Sequence, residues 1–166
     1  MLKRARFPAL AGTVLAAASL LAACSESSTM PEATDEEEVT LQEMLEEAIL
    51  DEFRAEAVYR GVLEDFGPVF PFANIVNAEV YHAAALANVM TNLGISVPAN
   101  PYSPANVDHY GSVQEACQVG VVAEIENAAI YDRYLALDLP DAVRQVFQSN
   151  RDASMNAHLP AFQACS

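Results

Sequence analysis

Four stretches of this chain repeat apolar residues every three or four positions, and each stripe is broken near its middle by a side chain that can ionise. Leu45, Ala48, Glu52, Ala55, Tyr59, Val62 and Phe66 form the first; Phe72, Ile75, Glu79, His82, Leu86, Val89 and Leu93 form the second. The third runs Val113, Cys117, Gly120, Glu124, Ala128, Tyr131 and Leu135. The fourth runs Val143, Val146 or Phe147, Asn150 or Arg151, Ser154, Met155, His158 and Phe162. That period is helical, so the pattern predicts an all-α chain of four helices, each burying one face. An unpaired charge at the centre of such a bundle is heavily penalised. Glu52, Glu79, His82, Glu124 and His158 are therefore either costly burials or functional groups sharing one interior pocket.

The helix ends are marked by their residues. Thr40 with Glu43, and Ser112 with Glu115, have the capping-box spacing that starts helices 1 and 3, and Gly67-Pro68 stops helix 1. Pro71 suits the first turn of helix 2, which ends before Gly94; helix 4 starts around Asp138-Leu139-Pro140. Residues 95–111 hold three prolines and read as a loop, with His109 a surface group. Seventeen extended residues span up to about 55 Å, against roughly 39 Å for a 26-residue helix, so a long connection between helices 2 and 3 can cross the whole bundle. The direction of helix 3 stays open, because groups near mid-helix remain level either way.

The N-terminus carries a different signal. Lys3, Arg4 and Arg6 precede an apolar run from Pro8 to Ala23, which ends Leu21-Ala22-Ala23-Cys24. That order is a secretion signal too short for a comfortable membrane span. Its end resembles a bacterial lipobox, which implies that Cys24 becomes a lipidated first residue; an ordinary cleaved signal or an uncleaved anchor is the alternative. The expected organisation is a signal peptide over 1–23, an acidic flexible tether over 24–39 and a helical domain over 40–166. The expected location is the outer side of a bacterial membrane in the cell envelope, held there by a lipid anchor. Without the signal, five arginines face 23 acids (5 minus 23), a net charge of -18. Such a surface repels nucleic acid and concentrates cations.

Glu79 and His82, three residues apart, occupy neighbouring positions on one helical face and can turn toward one metal ion. The chain also looks like a diverged repeat: Glu52 stands seven residues before Tyr59 and Glu124 seven before Tyr131, with His82 and His158 on the helices that follow. Seven residues is about two turns, and long helical side chains lean toward the N-terminus, which aims each phenol at its own glutamate's level. Tyr59 and Tyr131 then either donate hydrogen bonds to metal-bound carboxylates or simply fill the core. Three carboxylates and two imidazoles without a thiolate suit a first-row transition metal. In an antiparallel hairpin that levels Glu124 with His158, Cys117 and Cys165 meet at one end, so an exported chain is expected to join them as a disulfide.

Glu52 with Tyr59, Glu79 with His82, Glu124 with Tyr131, and His158 resemble the inward motifs of the ferritin and rubrerythrin superfamily of di-iron four-helix bundles. The runs Met44 to Glu47, Ala55 to Tyr59, Phe72 to Ile75, Ala78 to His82, Gly120 to Glu126 and Ser154 to Leu159 are similar to an uncharacterised bacterial branch of ferritin-like proteins. The resemblance covers about Leu41 to Cys165 and implies a ferritin-like bundle that holds one or two metal ions, iron first, with manganese or zinc as alternatives. It also shows a departure. The second Glu-x-x-His of that superfamily reads Met155-x-x-His158 here, so one carboxylate is missing, and Glu56 either replaces it or faces water. Three functions remain: a metal-binding module without assigned catalysis, which the lost carboxylate favours; a metal-dependent oxidoreductase acting on ferrous iron or peroxide; and an interaction domain with no working site. A homodimer is compatible with a lipid-tethered chain, whereas a storage cage is not expected.

Overall fold

The computed structural model describes residues 39–166, so Cys24, the signal peptide and nearly all of the tether lie outside the described residues. Those described form helices joined by loops, with no strand among them. Helix α1 spans Leu41–Phe66 and α2 spans Phe72–Asn92. Helix α3 spans Val113–Leu135. The fourth rod is composite: α4 at Asp141–Ala153, a π-helical turn at Ser154–His158, and α5 at Leu159–Gln163. The reciprocal capping box expected at α1 is present, with the Thr40 N–H donating to Glu43 Oε2 at 2.7 Å and the Glu43 N–H to Thr40 Oγ1 at 3.3 Å. At α3 only half of it forms. Ser112 Oγ accepts from the Glu115 N–H, but the Glu115 carboxylate accepts from the Gly111 N–H, one residue earlier than a capping box requires. Gly67 and Gly94 follow α1 and α2 at φ of 78° and 73°, a region that penalises a side chain.

Contacts between rods set the topology. Tyr59 reaches Glu124 while Tyr131 reaches Glu52, so α1 and α3 run antiparallel. Tyr59 against Phe72 and Glu52 against His82 make α1 and α2 antiparallel as well. Helices α2 and α3 therefore point the same way, and the connection between them travels the length of the bundle. On its way a 3₁₀ turn at Pro104–Asn106 lies against α1. His109 fastens it there, with Nδ1 2.6 Å from Asp65 Oδ2 and Nε2 3.0 Å from the Pro104 carbonyl.

The core is two apolar clusters with a polar layer between them. Leu45, Ile49, Leu86, Met90, Val143 and Phe147 fill one end. Tyr59, Val62, Phe72, Ile75, Cys117 and Phe162 fill the other. Each large side chain removed from water in this way contributes about 1.5–3 kcal/mol. At the second end Gly120 brings α3 close to α5: a Cβ there would lie 2.7 Å from the Phe162 ring. Cys117 and Cys165 are disulfide-bonded at that end, with Cα atoms 5.8 Å apart.

Candidate metal centre

Between the two clusters, α1 supplies Glu52, α2 supplies Glu79 and His82, α3 supplies Glu124, and the π turn supplies His158. Glu52, Glu79, Glu124 and His158 are each at most 5% exposed, and the His82 side chain is 12% exposed. Their ligand atoms group into two triads, Glu52–Glu79–His82 and Glu79–Glu124–His158, each with its atoms within 4.8 Å of one another. Two ligands of one ion, each about 2.2 Å from it, can stand at most about 4.4 Å apart, so each triad needs only a small inward adjustment to close on an ion.

Glu79 belongs to both triads. Its Oε2 lies 3.0 Å from His82 Nδ1 and its Oε1 3.2 Å from His158 Nδ1. The outer glutamates are arranged alike. Glu52 Oε1 accepts from the Tyr131 hydroxyl, and its Oε2 lies 3.3 Å from His82 Nδ1. Glu124 Oε1 accepts from the Tyr59 hydroxyl at 2.7 Å, and its Oε2 lies 3.3 Å from His158 Nδ1. Glu52 Oε2 and Glu79 Oε1 are buried without a hydrogen bond. Buried polar oxygens are ordinarily satisfied, and these two fall one in each triad. A cation in each triad would satisfy both, so this donor set fits the metal its chemistry implies.

The tyrosines differ from expectation in their partners. Each phenol bonds the glutamate of the opposite half, not the one on its own helix. Seven residues separate Tyr59 from Glu52 by about 10.5 Å along the axis, beyond a hydrogen bond, whereas antiparallel packing levels Tyr59 with Glu124 and Tyr131 with Glu52. Glu56 also falls elsewhere: it pairs with Arg60 at 2.7 Å near the surface and does not replace the missing carboxylate.

The fourth rod explains what stands in that position. A π turn uses i→i+5 hydrogen bonds and so takes an extra residue per turn. The residue sharing a face with His158 is then four positions back, not three. Ser154 is consequently buried, at 1% exposure, while Met155, expected beside the centre, is only half-buried. Ser154 Oγ donates to Asn127 Oδ1 at 2.7 Å, and Asn127 Nδ2 donates to Asp51 Oδ2 at 2.9 Å and Glu52 Oε1 at 3.3 Å. Asn150 Nδ2 donates to the Tyr131 oxygen at 3.1 Å. The helical stripes alone do not reveal this amide and hydroxyl network. Its one trace there is the run Asn150, Ser154, His158, Phe162, three steps of four where an α-helix averages about 3.6.

Burial and pairing set the charges of the layer in the metal-free protein. Burial pushes the Glu52 carboxyl up to about 7, with Glu79 adding to the rise and His82 opposing it. Burial pulls the imidazoles down, but hydrogen bonds and charges from the neighbouring glutamates outweigh it and lift His82 to about 10 and His158 to about 9. Burial also works to raise Glu79, yet the nearby His158, His82 and Glu52 outweigh it and leave Glu79 below the usual carboxylate value. Burial, then the facing carboxylates, raises both Tyr59 and Tyr131, so they stay neutral donors.

Among the described residues, two openings lead to the layer. A cleft between α1 and α3 touches Glu79 and Glu124 and is walled by Asp51, Arg54, Tyr59 and Asn127. A second pocket, between α2 and the fourth rod, touches His158 and is lined by Asn74, Ile75, Ala78 and Ala161 without a carboxylate.

No protein-family model matches this chain, and no curated protein matches it. A crystal structure of a hypothetical protein from Methanococcus jannaschii DSM 2661 is similar, with a TM-score of 0.65 and 21% identity over 73% of this chain and 76% of that one. At that identity the likeness shows the helical fold alone.

Proposed function

We propose that this chain is a ferritin-like protein that binds divalent transition metal, iron before manganese or zinc, in the paired triads around Glu79. The observation that carries the reading is the division of five ligands into two sets that share one carboxylate, each set holding one buried oxygen with no hydrogen bond. Tyr59 and Tyr131 fix the outer glutamates by one oxygen each and leave the other directed inward. Three carboxylates set against two divalent ions leave a net positive centre, so a second ion calls for water or an outside anion. With Ser154 in place of a fourth carboxylate, metal holding without assigned turnover is the primary reading. The N-terminal signal supports export and tethering through Cys24.

The cleft that reaches Glu79 and Glu124 supports a second reading, a metal-dependent oxidoreductase, because a small reactant can approach from that side. Bound iron or manganese would supply redox chemistry toward oxygen or peroxide. Elemental analysis of protein purified without chelator, beside Glu79→Gln, tests the shared premise. One to two ions per chain in the parent and a clear loss in the variant are expected; equal metal in both removes the site. Turnover of ferrous iron or peroxide by the loaded protein then separates the two readings.

A further inference from the structure

The two openings onto the metal layer differ in charge, and that difference identifies the route by which ions arrive. We propose that divalent cations enter through the α1–α3 cleft, meeting the Asp51 carboxylate first and displacing the Arg54 guanidinium that caps it. The proposal rests on the metal-binding reading above and adds the path and its gate.

Asp51 stands at the mouth of the cleft, and its side chain is 14% exposed. Its two oxygens have different partners. Oδ2 accepts from Asn127 Nδ2 at 2.9 Å, which fixes the carboxylate against α3. Oδ1 faces Arg54 Nη2 at 3.0 Å, and the Arg54 side chain is 47% exposed. An ion pair with so exposed a partner is readily exchanged. Deeper in the same cleft lie Glu79 and Glu124, and the buried Glu79 Oε1 has no hydrogen-bond partner. A cation therefore finds carboxylates at the mouth and at the floor. The opposite pocket has none in its wall, so it offers an ion no stepping stone. Both carboxylates on the floor of the cleft belong to the Glu79–Glu124–His158 triad, so that triad fills first and the Glu52–Glu79–His82 triad second. A carboxylate-lined approach also raises the association rate in a salt-dependent way.

The test is stopped-flow uptake of cobalt(II) by the metal-free protein, followed by the visible absorption that appears on coordination. Asp51→Asn, which is nearly isosteric, should slow uptake about tenfold and weaken its salt dependence while the final stoichiometry is kept. Arg54→Gln should speed uptake. Asn74→Phe, which narrows the opposite pocket at its exposed rim, should leave the rate unchanged. Circular dichroism and a thermal melt of each metal-free variant confirm that the fold is intact. Wild-type rates in both Asp51→Asn and Arg54→Gln, or slowed uptake in Asn74→Phe, overturn the route while leaving the centre in place. If the parent protein takes up no cobalt, the centre and the route fall together.

Discussion

Loading the metal-free protein should expel protons, and the number follows from the layer's geometry. His82 Nδ1 sits between two carboxylates at 3.0 and 3.3 Å, and His158 Nδ1 between two at 3.2 and 3.3 Å. With pKa values lifted to about 10 and about 9, both rings are imidazolium at pH 7, and Glu52, lifted to about 7, is partly protonated. A ligating nitrogen needs its lone pair, so each ring must lose its proton. Filling both triads at pH 7 should therefore release between two and three protons per chain, two from the imidazoles and a fraction from Glu52. Three pH units for His82 and two for His158 correspond to costs of about 4 and about 3 kcal/mol at roughly 1.4 kcal/mol per unit. Overall affinity should accordingly climb by about five powers of ten between pH 7 and pH 10, in the absence of metal hydrolysis. Titration calorimetry in buffers of different ionisation enthalpy counts the protons directly. Stoichiometric binding of zinc or manganese with less than one proton released at pH 7 would refute the charge assignment.

The same shifts make the metal-free fold sensitive to alkali. All three groups have folded values above their unfolded ones, so their stabilisation is full below the unfolded values. It is lost as pH rises through about 7 for Glu52 and about 9 to 10 for the histidines. Melting temperature in chelator should fall steadily from pH 5 to pH 10, and a flat profile would contradict it. Tyr131→Phe removes the donor to Glu52 and a partner of Asn150, at a cost of about 1.5–3 kcal/mol in urea unfolding; a loss under 0.5 kcal/mol would mean that the phenol is only filling space. Gly120→Ala places a methyl against Phe162 and should destabilise by about 1–3 kcal/mol through overpacking, read by the same unfolding curves. Reduction of Cys117–Cys165, which closes a separation of 48 residues, should cost on the order of 4 kcal/mol in the chain-entropy account, and an unchanged midpoint would count against it.

Much of the bundle is legible along the chain because helical period, caps and stops are local. Glu52, Glu79, His82, Glu124 and His158 stand out since each interrupts an apolar stripe, and a stripe of that period has only one inward face. Spacing likewise pairs Cys117 with Cys165, because an antiparallel hairpin is a simple ruler. Partners across the bundle are harder to read. Seven residues on one helix put Tyr59 out of reach of Glu52, but whether it is level with Glu124 depends on the direction of α3, which mid-helix positions leave undetermined. Glu56 is ambiguous for a similar reason: its place on α1 allows both the layer and the surface, and Arg60 one turn on draws it outward.

What the residues by themselves decide is thus which side chains turn inward and at what level, since both follow from a rise and a rotation repeated at every position. Tertiary packing decides how those side chains are shared. Glu79 stands between two imidazoles because the fourth rod packs against α2, and Asn127 joins Asp51, Glu52 and Ser154 because α1 and α3 run antiparallel. Ser154 takes the inward place that Met155 would hold in a regular helix because one turn is wound wide, an alteration of hydrogen-bond register to which no single residue type in that segment commits the backbone.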